Sequence, residues 1–278
     1  MTTSCGQLDF KASKSSDTNN VIETTTDSTK EKSSTEKQKE IDDSNRIDSI
    51  RQSKVMKVAM TIAKQNISKD YYKISYESFP DDSSYAVTTE IILGHLFSKD
   101  KKHLLIRRRV PWGSFLDLFL IKDDSLIPEV NREQDCMTYI SDTIFDANGD
   151  KQKDFLVHWY PSSGCCRRNI YNVYLYDSST GTFSKDFEFM NPTFSPKEKI
   201  IRGVAYGHPG EVELYKYKWN GMQIDTIEFI HPNVNKKGTY IKTKKRSYRP
   251  LETEGIKLNT VPREYHSIES YDWFISEE

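Results

Sequence analysis

Residues 211–230 read EVELYKYKWNGMQIDTIEFI, and this stretch decides the fold class. Both halves are crowded with β-branched and aromatic residues, and Asn220-Gly221 lies between them. Asn-Gly favours the positive φ angles of a type I′ turn, so the stretch predicts a hairpin. In the first half Val212 and Leu214 share one parity, whereas Tyr215, Tyr217 and Trp219 share the other. Successive side chains of a strand point to opposite faces. The change of apolar parity therefore implies either a β-bulge or a strand covered on both faces. Val173, Tyr174, Leu175 and Tyr176 are apolar on both parities as well. Such strands are expected where small sheets pack face to face, as in sandwiches or propellers.

Working outward, the same grammar of short apolar runs and turn residues extends over most of the chain. Strands are predicted at Tyr85–Phe97, His103–Val110, Phe115–Lys122, Leu126–Val130, Met137–Phe145, Phe155–Tyr160, Asn169–Tyr176, Thr182–Phe189, Ile200–Tyr206 and Tyr240–Tyr248, beside the hairpin pair. Asp123-Asp124-Ser125 and Ser178–Gly181 read as turns. Residues 46–68 read as a short helix, with Ile47, Ile50, Val58, Ile62 and Ala63 near helical spacing and Ser44 available as a cap. Residues 6–45 are dominated by Ser, Thr, Lys, Asp, Glu and Asn, a composition with too little apolar surface to offset ordering, so residues 1–45 are expected to form a disordered tether. The expected architecture is all-β, with propeller-like or sandwich-like antiparallel sheets in a single domain over 69–278.

Charge adds few constraints. The formal net charge is −1 over 278 residues, which gives no global signal for nucleic acid. The basic stretches Lys101–Arg109 and Lys236–Arg249 are interrupted by apolar residues at strand spacing and read as solvated strand faces or a docking surface. No run approaches the roughly 20 apolar residues of a membrane span. Near the start, Ser4-Cys5-Gly6 followed by a polar tract is similar to the end of a bacterial lipoprotein signal, although the hydrophobic stretch that precedes the cysteine in such signals is missing. Cys5 is the expected lipidation site, and membrane association is expected only through that anchor. A 40-residue flexible tether would reach roughly 35 Å.

The sharpest motif is Asp146-Ala147-Asn148-Gly149-Asp150-Lys151-Gln152-Lys153-Asp154. Oxygen-bearing side chains at Asp146, Asn148, Asp150 and Asp154, with the Gln152 carbonyl, match the alternate-residue supply of oxygen ligands that calcium needs. Lys151 and Val157 stand where an EF-hand has its glycine and glutamate, so the pattern excludes a helix–loop–helix site. A structural calcium ion is the expected cofactor.

After Cys5 the cysteines are Cys136, Cys165 and Cys166. Adjacent Cα atoms are closer than a relaxed disulfide prefers, so a bond from Cys136 to Cys165 or Cys166 is the easier pairing, while Cys165–Cys166 and reduced thiols stay open. Zinc held by Cys165, Cys166 and a histidine is disfavoured by the absence of C-x₂₋₄-C spacing. The six histidines form neither HxH nor HExxH, and no nucleophile–base pair stands out, so no catalytic residue is assigned and the chain is not expected to be an enzyme.

Residues 137–230 resemble a family of bacterial periplasmic, often lipid-anchored, β-propeller-like proteins that includes inhibitors of, and immunity proteins against, lysozyme-type peptidoglycan hydrolases. The likeness rests on Ile144–Asp150 with Asp154-Phe155-Leu156, on Tyr174–Asp177 with Thr180–Phe183, and on Asn191–Phe194 leading to Lys199-Ile200-Ile201. The Asp146–Asp154 pattern is similar to calcium loops of integrin-type propeller repeats. The resemblance implies a calcium-stabilised β fold, an envelope location and a protein partner such as a peptidoglycan hydrolase. Tyr160, Arg167 and Arg168 are the candidate partner-binding residues, being of types enriched at binding hot spots. The alternatives are a structural or carbohydrate-associated envelope protein, or a hydrolase.

Overall fold

The computed structural model describes residues 34–83, 85–135, 137–248 and 250–276. Within them lie three main antiparallel sheets, a two-stranded ribbon and one long helix. The first sheet is a meander of β1 (Tyr71–Ser78), β2 (Val87–Gly94), β3 (His103–Val110), β4 (Gly113–Lys122) and β5 (Ser125–Asp135). The second comprises β6 (Tyr139–Phe145), β7 (Asp154–Trp159) and β8 (Ile170–Tyr174), with β11 (Phe187–Met190) at its edge; β9 (Tyr176–Asp177) and β10 (Thr182–Phe183) form the ribbon. The third runs in sequence order through β12 (Pro192–Ser195), β13 (Ile200–Val204), β14 (Leu214–Asn220), β15 (Gln223–Pro232), β16 (Tyr240–Thr243) and β17 (Ile256–Leu258).

The second sheet is the middle layer, and its sequence shows why. Strand β7 reads Phe155-Leu156-Val157, all buried. Phe155 and Val157 join Leu105, Leu116 and Leu118 of the first sheet in one core, whereas Leu156 joins Ile201, Tyr215, Trp219 and Phe229 of the third in another. Tyr174 and Tyr176 belong to the first of these cores, Val173 and Leu175 to the second. The double apolar parity is thus the signature of a sheet packed on both faces. The outer face of the first sheet is closed by α1 (Ser34–Gln65), and that of the third by the C-terminal segment, where Val261, Tyr265, Ile268 and Phe274 cover Val204, Leu214 and Ile230. Arg107 of β3 ties the first two sheets, its Nε donating to Asp142 of β6 at 2.8 Å; Arg108 pairs with buried Asp117. Those arginines, read as solvated, are drawn inward by carboxylates of β2, β4 and the facing β6.

Several expectations need correction. The sheets are open, with unpaired edge strands, and no ring closure is seen among the described residues, so the propeller-like architecture is not what the chain adopts. The helix is 32 residues long, not short, and takes in residues 34–45, assigned to the tether. Its first turns are exposed and polar, rich in strong helix formers and tied by local pairs such as Gln38–Asp42. Of the residues read as its apolar face, Ile47, Ile50 and Val58 face solvent, whereas Ala63 is buried and Ile62 is half-buried; Gln52, Val55 and Ala59 complete the buried face, the small alanines allowing the helix to approach Ile91, Leu93 and Leu104. The β14–β15 hairpin forms, but Asn220 pairs with Gln223 and only Gly221 has positive φ. The two-residue loop is Gly221-Met222, which matches a type II′ turn rather than I′. Strand β14 has both features suggested for it: Leu214 and Tyr215 are buried in different cores, and the register with β15 shifts between Lys216 and Tyr217. Cys5 and Cys136 lie outside the described residues, so the lipidation site and the Cys136 pairings have no structural counterpart here.

Candidate functional site

The acidic loop connects β6 to β7 and is held by its own side chains. Asp146 Oδ1 accepts from the Gly149 and Asp150 N–H groups at 2.6 and 3.2 Å, and its Oδ2 accepts from Lys151 N–H at 3.0 Å. Asn148 Oδ1 accepts from Asp150 N–H at 3.1 Å, and Asp150 Oδ1 from Gln152 N–H at 2.7 Å. Asp154 is fully buried; its two oxygens accept from Ala147 N–H at 2.8 Å and Tyr176 N–H at 2.9 Å. Burial pushes the Asp154 carboxyl up to about 7, against the pull of those two bonds, with Asp150 and Asp146 adding repulsion. Gly149, at φ +77°, passes so close to the Pro196 carbonyl that no side chain fits there.

These contacts correct the cofactor expectation. The loop's oxygens accept from backbone N–H groups and, at Asp150 Oδ2, from the Asn148 side-chain amide, and its carboxylates do not gather into a ligand set. Among the described residues the one group of three His, Cys, Asp or Glu side chains whose ligand atoms all lie within 4.8 Å of one another is Cys165, Cys166 and His208. That donor set is soft, of the transition-metal type rather than the all-oxygen type of calcium.

Cys165 and Cys166 are joined to each other by a disulfide, the pairing that spacing had made the harder one. The connection from β7 to β8 accommodates it with left-handed backbone at Gly164 and Cys166, φ +110° and +77°. Tyr160 Oη donates to the Cys166 carbonyl at 2.6 Å, and Asn191 Nδ2 to the Arg167 carbonyl at 3.0 Å. Arg167 pairs with Asp272 at 2.6 Å and lies over the Trp273 ring; Arg168 lies over Tyr206, 4.6 Å from its centroid. The three residues proposed from sequence for partner binding are therefore close together, and each contributes to fixing the cysteine loop. His208 comes from the β13–β14 connection, about forty positions away in sequence. Nothing around His208 in the sequence marks it as a ligand; the Gly207-His208-Pro209-Gly210 run announces only an exposed turn.

That same turn borders a cleft of about 560 Å3 between the β15–β16 loop and the C-terminal helix α2 (Tyr271–Ile275). Pro209, His231, Asn233, Thr239, Tyr240 and Phe274 line it. Tyr240 and Phe274 stack with centroids 5.6 Å apart. Asn233 braces the loop by donating to Thr239 Oγ1 and Glu252 Oε1 at 3.0 and 2.6 Å. Burial depresses the His231 imidazole below its ordinary value, which favours its neutral form.

No family model, curated protein or solved structure matches this chain. The resemblance to periplasmic hydrolase inhibitors is therefore corrected on two counts: no family match accompanies it, and the sheets lack the propeller closure it implies. No helix among the described residues is long and apolar enough to cross a membrane.

Proposed function

We propose that this chain is an envelope-associated binding protein that holds a saccharide of the cell-wall type in the cleft beside α2, without turning it over. The cleft is the observation that carries the reading. It has the size of a small-molecule site, a few hundred Å3 with aromatic and polar walls. Tyr240, half-buried and stacked on the buried Phe274 ring, is the aromatic wall for the C–H face of a sugar, and backbone groups of the cleft are the partners for hydroxyls. The Cys165–Cys166 disulfide supports an oxidising compartment, where Cys5, if lipidated, would tether the domain. The hydrolase-blocking reading loses its main support with the family resemblance, and Arg167 and Arg168 are engaged within the chain.

The test is calorimetric titration of the purified chain with soluble peptidoglycan fragments. Saturable binding is expected, weakened in Tyr240→Ala, with the saccharide recovered intact. Absence of binding, or cleavage of the saccharide by the chain, overturns the proposal.

A further inference from the structure

We propose that Cys165, Cys166 and His208 form a redox-gated site for a soft d10 cation, zinc(II) or copper(I). The inference is independent of the saccharide cleft. Its basis is the convergence of two sulfurs and an imidazole nitrogen from separate connections, all within 4.8 Å. Such a trio is the ligand type that zinc and copper(I) select. In a tetrahedral zinc set with Zn–S near 2.3 Å, two sulfurs stand about 3.7 Å apart. Opening the disulfide and turning the two side chains reaches that separation without moving His208 far.

The surroundings prepare the site. Both connections are fixed mainly by contacts that do not involve the ligand atoms. Tyr160 and Asn191 hold the carbonyls of Cys166 and Arg167, and Trp273 Nε1 donates to the Gly207 carbonyl at 3.0 Å, next to His208. Arg168 and Tyr206 bridge the two connections, and Tyr206 Oη lies 3.8 Å from Cys165 Sγ. Cys165 and His208 are exposed, so an ion can enter from solvent and one coordination position stays open.

The gate is the disulfide itself. While closed, its sulfurs are not thiolate ligands. A thiol reductant, either one dithiol or two monothiols, supplies two electrons and two protons, breaks the S–S bond and leaves as its own disulfide. Metal binding then displaces the two thiol protons. An oxidant of the disulfide class would reverse both steps and release the ion.

The experiment uses the full chain, reduced with a phosphine that is then removed under anaerobic conditions. Zinc(II) is titrated against a chromophoric chelator, and copper(I) against a copper(I)-selective one. Cobalt(II) reports sulfur ligation through its thiolate charge-transfer band. One ion per reduced chain is expected, with no uptake at this site by the oxidised chain. Cys165→Ser with Cys166→Ser retains Cys5 and Cys136 and sets the background. His208→Ala should weaken binding by more than about tenfold, since loss of even an outer-shell partner costs that much, with an unchanged melting temperature in the oxidised state. Binding of either ion in this pattern supports the site, and the two arms decide which ion it prefers. Reduced native chain binding neither ion above the double-serine background overturns it, as does full affinity in His208→Ala.

Discussion

Strand β7 carries a connection at each end, and the two behave in opposite ways. The loop before it, Asp146–Lys153, spends its oxygens largely on its own backbone, and Asp154, where β7 begins, accepts from the Ala147 and Tyr176 N–H groups. The connection after it carries Cys165 and Cys166 and meets a histidine from a different sheet. In sequence the first has the spacing of a metal site and the second does not. The difference is that a local pattern of Asp and Asn serves a turn as readily as an ion, because each side chain is within reach of backbone N–H groups two to five residues on. Ligand sets assembled across sheets leave no such local trace.

The strongest way to break this contrast is Asp154→Ala. The substitution leaves the Ala147 and Tyr176 N–H groups buried without their acceptor. Each such loss costs about 1–3 kcal/mol, so destabilisation of about 4 kcal/mol is expected. For a chain of this size that lowers the melting temperature by roughly 8–16 °C. A change under about 1 kcal/mol in denaturant unfolding would show that the acidic loop is not the structural clasp described above.

The same contrast explains what was legible in the sequence. Strands and hairpins are local, so β3, β4, β7 and the β14–β15 pair follow from alternation and turn residues. The middle-layer position of the second sheet was foreshadowed by Val173–Tyr176, apolar on both parities. Strand β1 went unpredicted although Tyr72, Ile74 and Tyr76 alternate with exposed neighbours. The helix and the Ile62-Ala63 part of its face follow from spacing, but the rest of the face does not, because Ala59 carries a weaker hydrophobic signal than the exposed Ile47 and Ile50. Of the candidate site, Cys165, Cys166, Tyr160, Arg167 and Arg168 were visible. His208 and the cleft beside α2 depend on contacts between distant segments, which no spacing rule records.

A second test probes the acidic-loop side of the molecule through His103. This fully buried ring packs edge-on against Tyr176, whose N–H Asp154 holds, and its Nε2 lies 3.2 Å from the Gly181 carbonyl. Burial pushes the imidazole down to about 4 from 6.5, outweighing its backbone hydrogen bonds. The unfolded chain therefore takes the proton first. Stability from this group is complete above pH 6.5 and is lost as the pH falls toward 4, by about 3 kcal/mol at most. Asp154, whose carboxyl stands at about 7 in the fold, gains stability over the same range, so the loss is read as the difference in denaturant unfolding between the native chain and His103→Phe from pH 7 to pH 4. An imidazole that titrates near 6.5 by NMR in the folded chain would remove this contribution.

The smallest expected effect lies on the other connection and sharpens the comparison most. Arg167 joins Asp272 across about a hundred residues, but both side chains are largely solvent-exposed, 43% and 66%. Exposed pairs of this kind contribute about 0–1 kcal/mol. Arg167→Ala should therefore lower the melting temperature by no more than about 4 °C. Its local consequence should be larger than its global one, because the guanidinium also covers the Trp273 ring and thereby fastens the cysteine connection to α2. Amide exchange should accelerate over residues 162–168 and 271–275 while the β7 amides keep their protection. A stability loss comparable to that of Asp154→Ala, or equal acceleration in β7, would mean that the two ends of β7 are one structural unit and that the cysteine connection is no freer to serve a ligand than the acidic loop.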